Sequence, residues 1–164
     1  MTGTLVIGLG NPLMGDDGAG VTALERLREE WVLPPEVELM DGGTWGMNLL
    51  PCVEFAERLV LIDAIRTGVA PGTLTVLERA ALPRYFSLKL SPHQIDLREV
   101  LALAELRGAL PEDLVALGIE PASIELGEGL SPAVASGLGK LVDLVVNRLE
   151  MAGHRCLRRA AIHA

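Results

Sequence analysis

Asp17 follows an apolar run at residues 4–10, Asp41 closes a run at 37–40, Asp63 closes one at 59–62, and His93 is the third residue of Ser-Pro-His-Gln at 91–94. If the three runs are parallel strands, their carboxyl ends share one sheet edge, where ligand crevices open in α/β proteins. Carboxylates distant in sequence then converge. His93 falls in the first turn of the next helix, where the helix dipole disfavours imidazolium and a neutral ring keeps a lone pair to offer. Asp17 and Asp63 with that imidazole make a site for a borderline metal with open positions.

Each of these residues also has a structural reading. Asp16 and Asp17 read equally as N-cap and first-turn acids of the first helix, with Asp16 the better cap. Asp41 before Gly42 and Gly43 is a natural turn residue. His93 reads as an ordinary first-turn residue. Asp63 is harder to explain structurally, because a carboxylate ending an apolar strand needs partners once buried. His154 and His163 fall near the C-terminus and read as solvated.

The elements that must position these groups are legible from periodicity. Residues 4–10 read as a central buried strand ending in glycine. Val21, Leu24, Leu27 and Trp31 recur at helical spacing, predicting a helix from Asp16 or Asp17 that Pro34 and Pro35 end. Strands at 37–40 and 59–62 flank a helix predicted at 45–57, with Pro51 in its first turn or at a kink. This alternation predicts a three-layer α/β/α sandwich around a mostly parallel sheet. Residues 73–77 read as an edge strand, and 79–90 show no clear period. Ser91, Pro92 and Gln94 are N-cap, first helical residue and capping-box partner of a helix whose Leu97, Val100, Leu101 and Ala104 share a face. A strand at 114–119 and a helix opening at Ser131 and Pro132 complete a single domain over 1–153. Residues 154–164, with Arg155, Arg158 and Arg159, read as a frayed tail.

Composition limits the partners. The 164 residues include 22 acids against 14 Lys and Arg, for a net charge of −8. Residues 1–82 hold 12 of those acids against 5 basic residues. Phosphate neutralisation needs basic patches, so neither nucleic acid nor an anionic membrane surface is an expected partner. At 49% hydrophobic residues the chain is too apolar for disorder and suits one compact core. The two cysteines, Cys52 and Cys156, form no CxxC, which fits a reducing cytoplasm better than a disulfide framework. No apolar run is long enough to span a bilayer, and the N-terminus lacks a secretory pattern. Aromatics are only 3%, leaving Trp31, Trp45, Phe55, Tyr85 and Phe86 as the available stacking surfaces.

Other chemistries fail on specific positions. Gly8-Leu9-Gly10 begins like a dinucleotide fingerprint, but Leu13 stands where its third glycine belongs. No Gly-Lys-Ser/Thr follows, and Asp16 and Asp17 would compete with a phosphate for the same helix end. No GxSxG elbow is present, and Cys52 within LLPCVEF reads as core. The sequence therefore offers no obvious covalent nucleophile and calls for no organic cofactor.

Taken together, GLGNPLMGDDGAG at 8–20, DGGTWGMNLLP at 41–51, RLVLIDA at 58–64, SPHQIDL at 91–97, and GIEP with ELGEGLSP at 118–132 resemble the nickel–iron hydrogenase maturation endopeptidases. The resemblance runs in order through nearly the whole chain to about residue 150. It implies an α/β/α protease that removes a C-terminal extension from the precursor of the hydrogenase large subunit after nickel insertion. It further implies that Asp17, Asp63 and His93 are the catalytic residues and contact substrate-borne nickel. Some relatives carry the longer Glu where Asp17 stands. Asp41 is a motif residue in a supporting role.

Two other readings start from the same residues. VIGLGNP also resembles the start of bacterial peptidyl-tRNA hydrolases, but the expected TRHNxG-like segment and basic surface are missing. A nickel-site-binding chaperone would use the same triad without hydrolysis and leave the precursor's tail intact.

Overall fold

The computed structural model describes residues 2–43, 46–87, 92–127 and 129–159, with side chains described throughout except at residues 2 and 92–96. Strands β1 (Thr2–Gly8), β3 (Val37–Asp41), β4 (Ala56–Ala64), β5 (Leu74–Glu78) and β6 (Asp113–Ile119) form a sheet in the order β3-β1-β4-β6-β5. All neighbours are parallel except β5, which runs antiparallel to β6 at the edge.

The central strands are apolar on both faces because both are covered. On one face Val6, Val60, Ile62, Val115 and Leu117 meet helices α1 (Ala19–Glu30) and α5 (Pro132–Met151). On the other, Leu5, Ile7, Leu59, Leu61 and Leu114 meet α2 (Leu50–Phe55), α3 (Leu82–Ser87) and α4 (Pro92–Leu106). This is the expected three-layer α/β/α sandwich. Leaving β1 the chain turns to β3, and from β3 it crosses to β4 on the other side of β1. Its switch point therefore lies between the carboxyl ends of β1 and β4.

Several boundaries differ from expectation. The first helix stops at Glu30, and Trp31 turns extended (φ −126°, ψ 146°). Trp31 and Val32 form β2, paired antiparallel with β7 (Leu157–Arg158). The helix predicted at 45–57 is a 3-10 turn, Gly46–Leu49, followed by α2, because Ala56 is already paired with Thr2 in the sheet. The segment without a period contains a 3-10 turn at Arg79–Ala81 and then α3.

Nor is the tail frayed as far as it is described. Residues 154–159 are tied down by the β2–β7 ribbon, by the Arg158 guanidinium 5.3 Å from the centre of the Trp31 ring, and by buried Cys156. His154, expected in solvent, is hydrogen-bonded through Nε2 to Oγ1 of buried Thr4 at 2.7 Å.

Candidate active site

Backbone contact builds the site. The Leu9 N–H donates to the Ile62 carbonyl at 2.9 Å, extending the β1–β4 pairing past Gly8 to the sheet edge. Gly10 then turns with φ +114°, and a Cβ there would lie 1.7 Å from the Asp17 carbonyl oxygen. Only glycine fits. The loop closes in the 3-10 turn Gly15–Gly18, which contacts β4 and leads directly into α1. A Cβ on Gly20 would sit 2.1 Å from the Ile62 carbonyl oxygen, so the start of α1 is pressed onto the residue before Asp63.

Asp17 and Asp63 are thereby buried at the switch point. Asp17 is 4% exposed, and its Oδ2 accepts from the Asn11 N–H at 2.9 Å. Asp63 is fully buried beside Gly118 of β6, and its Oδ2 accepts from the Tyr85 hydroxyl at 2.7 Å. His93 is the second residue of α4 by its backbone, as the sequence predicts, while its side chain lies outside the described residues, as does the expected cap, Ser91.

Asp41 and Asp16 have other work. Asp41 is exposed, and its Oδ1 accepts from the Gly43 N–H at 2.9 Å, which is the turn role read from Asp-Gly-Gly. Asp16 does not cap its own helix. Its carboxylate accepts four hydrogen bonds, from the backbone N–H groups of Ala122, Ser123 and Ser131 and from the Ser131 hydroxyl. It thus fastens the loop after β6 and the N-cap of α5 to the loop after β1. Burial pushes its pKa up, but the bonds from Ser131, Ala122 and Ser123 outweigh that and hold it below the usual carboxylate value.

Sequence reasoning passed over two residues. Tyr85 lay in the segment without a period, and nothing linked it to Asp63. Glu120, buried, accepts from the Thr67 N–H at 2.7 Å, the Thr67 hydroxyl at 3.0 Å and the Gly68 N–H at 3.1 Å, pinning the loop after β4. Its signal was available, since it follows an apolar strand just as Asp63 ends one.

Fold and site define a class: a doubly wound α/β protein with two buried carboxylates at its switch point, suited to holding a cation or taking a proton from water. Comparison with known proteins then fixes the family. The model of the hydrogenase maturation protease family matches residues 21–148. The hydrogenase 2 maturation protease of Escherichia coli K12 is 38% identical over 160 residues, covering 97% of this chain and 98% of the relative. A hydrogenase expression/formation protein of Rhodobacter capsulatus, HupD, is also 38% identical, over 96% of this chain and 76% of its own length. Among solved structures, the hydrogenase maturating endopeptidase HybD from E. coli superposes with a TM-score of 0.92 at 36% identity, covering 98% of this chain and 99% of that one. The nickel–iron hydrogenase maturation protease HybD from Thermococcus kodakarensis does so at 0.69 and 29% identity, over 90% and 98%. This chain belongs to the hydrogenase maturation protease family and is a peptidase.

Proposed function

We propose that this peptidase removes the C-terminal extension of a nickel–iron hydrogenase large-subunit precursor after nickel insertion, with Asp17, Asp63 and His93 contacting nickel carried by the substrate. One observation supports this above all: two carboxylates, 4% and 0% exposed, lie at the carboxyl ends of the neighbouring parallel strands β1 and β4. Burying carboxylates is costly, and a site that holds them there is suited to a cation arriving with the substrate. Carboxylate and imidazole are ligands a borderline divalent metal accepts.

In this reading the metal is part of the substrate. Its contact with the enzyme fixes the register of the tail, so that the scissile bond is presented in one position. Hydrolysis then needs water and a base, and a carboxylate of the pair takes the proton of the attacking water. No covalent enzyme intermediate is required. Two free cysteines, Cys52 and Cys156, fit action in a reducing cytoplasm, and among the described residues no helix is long and apolar enough to cross a membrane.

The test is to mix the protein with nickel-loaded and nickel-free precursor and detect the released C-terminal peptide by mass spectrometry. Release from the loaded form alone is expected. Equal cleavage of both forms overturns nickel recognition, and binding of the loaded precursor with its tail left intact supports the chaperone reading.

A further inference from the structure

Peptide hydrolysis needs more than a base. As the oxygen of water bonds to the scissile carbonyl carbon, the π pair of the carbonyl moves onto its own oxygen, and donors fixed beside that oxygen stabilise the charge. Asp17 and Asp63, as carboxylates, are acceptors and supply no such donor.

The loop after β1 carries two. From Leu9 to Asp17 each backbone N–H is hydrogen-bonded within the protein except that of Gly10, Pro12 having none. Gly10 is buried, and buried backbone donors are rarely left without an acceptor. The second donor is the side chain of Asn11. Its Oδ1 accepts from the Leu13 N–H at 3.0 Å, which fixes the amide's orientation: the oxygen faces the turn and Nδ2 faces away from it. Asn11 is exposed, and no described residue accepts from Nδ2. A turn at Asn-Pro uses the oxygen alone and leaves these donors over. The backbone N–H of the same asparagine donates to Oδ2 of Asp17 at 2.9 Å, so the amide is built on a residue that touches the carboxylate. The loop is also held still, since the Gly15 N–H donates to the Gly127 carbonyl at 2.9 Å and Met14 bridges to Gly127. Donors that need no reorganisation during the reaction are the effective ones.

We propose that the Asn11 side-chain amide, with the Gly10 N–H beside it, donates to the oxygen of the scissile carbonyl and makes Asn11 a catalytic residue. The proposal rests on the function proposed above, in which the bond is cleaved beside Asp17 and Asp63. Water's oxygen bonds to the carbonyl carbon, its proton passes to a carboxylate of the pair, and the displaced π pair rests on the oxygen that Asn11 and Gly10 hold. Collapse restores the carbonyl and breaks the C–N bond, and the carboxylate returns its proton to the departing nitrogen.

Tail release from the loaded precursor is measured for the wild type, Asn11→Ser and Asn11→Asp. A serine hydroxyl or an aspartate carboxylate can still accept from the Leu13 N–H, so both variants keep the turn and lose the amide donor. In each, kcat is expected to fall about a hundredfold or more, with KM within about threefold of the wild type and circular dichroism melts within a few degrees of it. A residue that served the turn alone would leave both variants active. The assignment is overturned, with the proposed function left standing, by a kcat within about tenfold of the wild type in either variant, by a rise in KM alone, or by a loss of activity that tracks a loss of folded protein. If the wild type releases no tail, the proposed function fails and the assignment fails with it.

Discussion

The Tyr85 hydroxyl donates to Oδ2 of Asp63 at 2.7 Å, with both side chains fully buried between the sheet and the α3–α4 layer. A residue from a six-residue helix, 22 positions later in sequence, thus fixes the orientation of the carboxylate that closes β4. Tyr85→Phe keeps the ring and removes the bond. It is expected to lower stability by about 1–3 kcal/mol in urea denaturation and to lower kcat for tail release several-fold. Full activity at full stability would leave the hydroxyl without a part in either.

Asp17→Asn and Asp63→Asn test the carboxylates themselves. In Asp17→Asn the side-chain amide oxygen can still accept from the Asn11 N–H, so that variant should melt within a few degrees of the wild type. Tail release should fall at least about a hundredfold in each, as expected on losing an acid–base or ligating group. Wild-type turnover in either variant removes that residue from the mechanism.

Asp16 contributes to stability against acid. Its folded pKa lies below the ordinary 3.8, so the folded state binds this proton less readily than the unfolded chain. The stabilisation is therefore complete above the unfolded value and is lost as pH falls through the lower folded one. Asp16→Asn should cost about 2 kcal/mol at neutral pH and flatten the fall in stability on acidification below about pH 5, measured by denaturant titration at stepped pH. An acid limb as steep as in the wild type would assign that fall to other carboxylates.

Gly10→Ala places a methyl group against the Asp17 carbonyl at a backbone angle alanine rarely adopts. The expected loss is at least about 2 kcal/mol, with tail release falling alongside because the same loop holds Asp17. Circular dichroism melts and the release assay check the two together.

Deleting residues 154–164 should lower stability by about 2 kcal/mol or more, since the cut removes β7, buried Cys156 and the His154 contact with Thr4. In the intact protein, burial first, and then the nearby charge of Glu150, raise the Cys156 thiol pKa. It should react with a disulfide reagent well below the rate of an exposed thiol until the tail is loosened. Rapid labelling of folded protein would show the tail to be undocked.

The layer order and the shared edge were legible because they rest on period and alternation: unbroken apolar strands such as 59–62 between amphipathic helices admit few arrangements. The placement of Asp17 after β1 and of Asp63 near the end of β4 was legible for a similar reason, since both strands had to be parallel. What escaped depends on partners distant in sequence. Asp16 has the residue type of a helix cap, and only the return of the chain at 122–131 reveals what it binds. Tyr85 meets Asp63 through a helix too short to leave a period. The tail looks solvated because its arginines are, while the pairing of Leu157 with Val32 is a long-range event that local pattern does not encode.

The sheet order also sets a timetable. β5 is made before β6, yet β6 is its neighbour in the sheet and lies between it and β4. During synthesis the segment Leu74–Glu78 therefore emerges without a ladder to join and waits for residues 113–119 before its backbone groups find partners. A chain halted between those points has β1, β3 and β4 ready to pair while the backbone groups of β5 still lack a partner, an unpaired strand of the kind that invites misassociation.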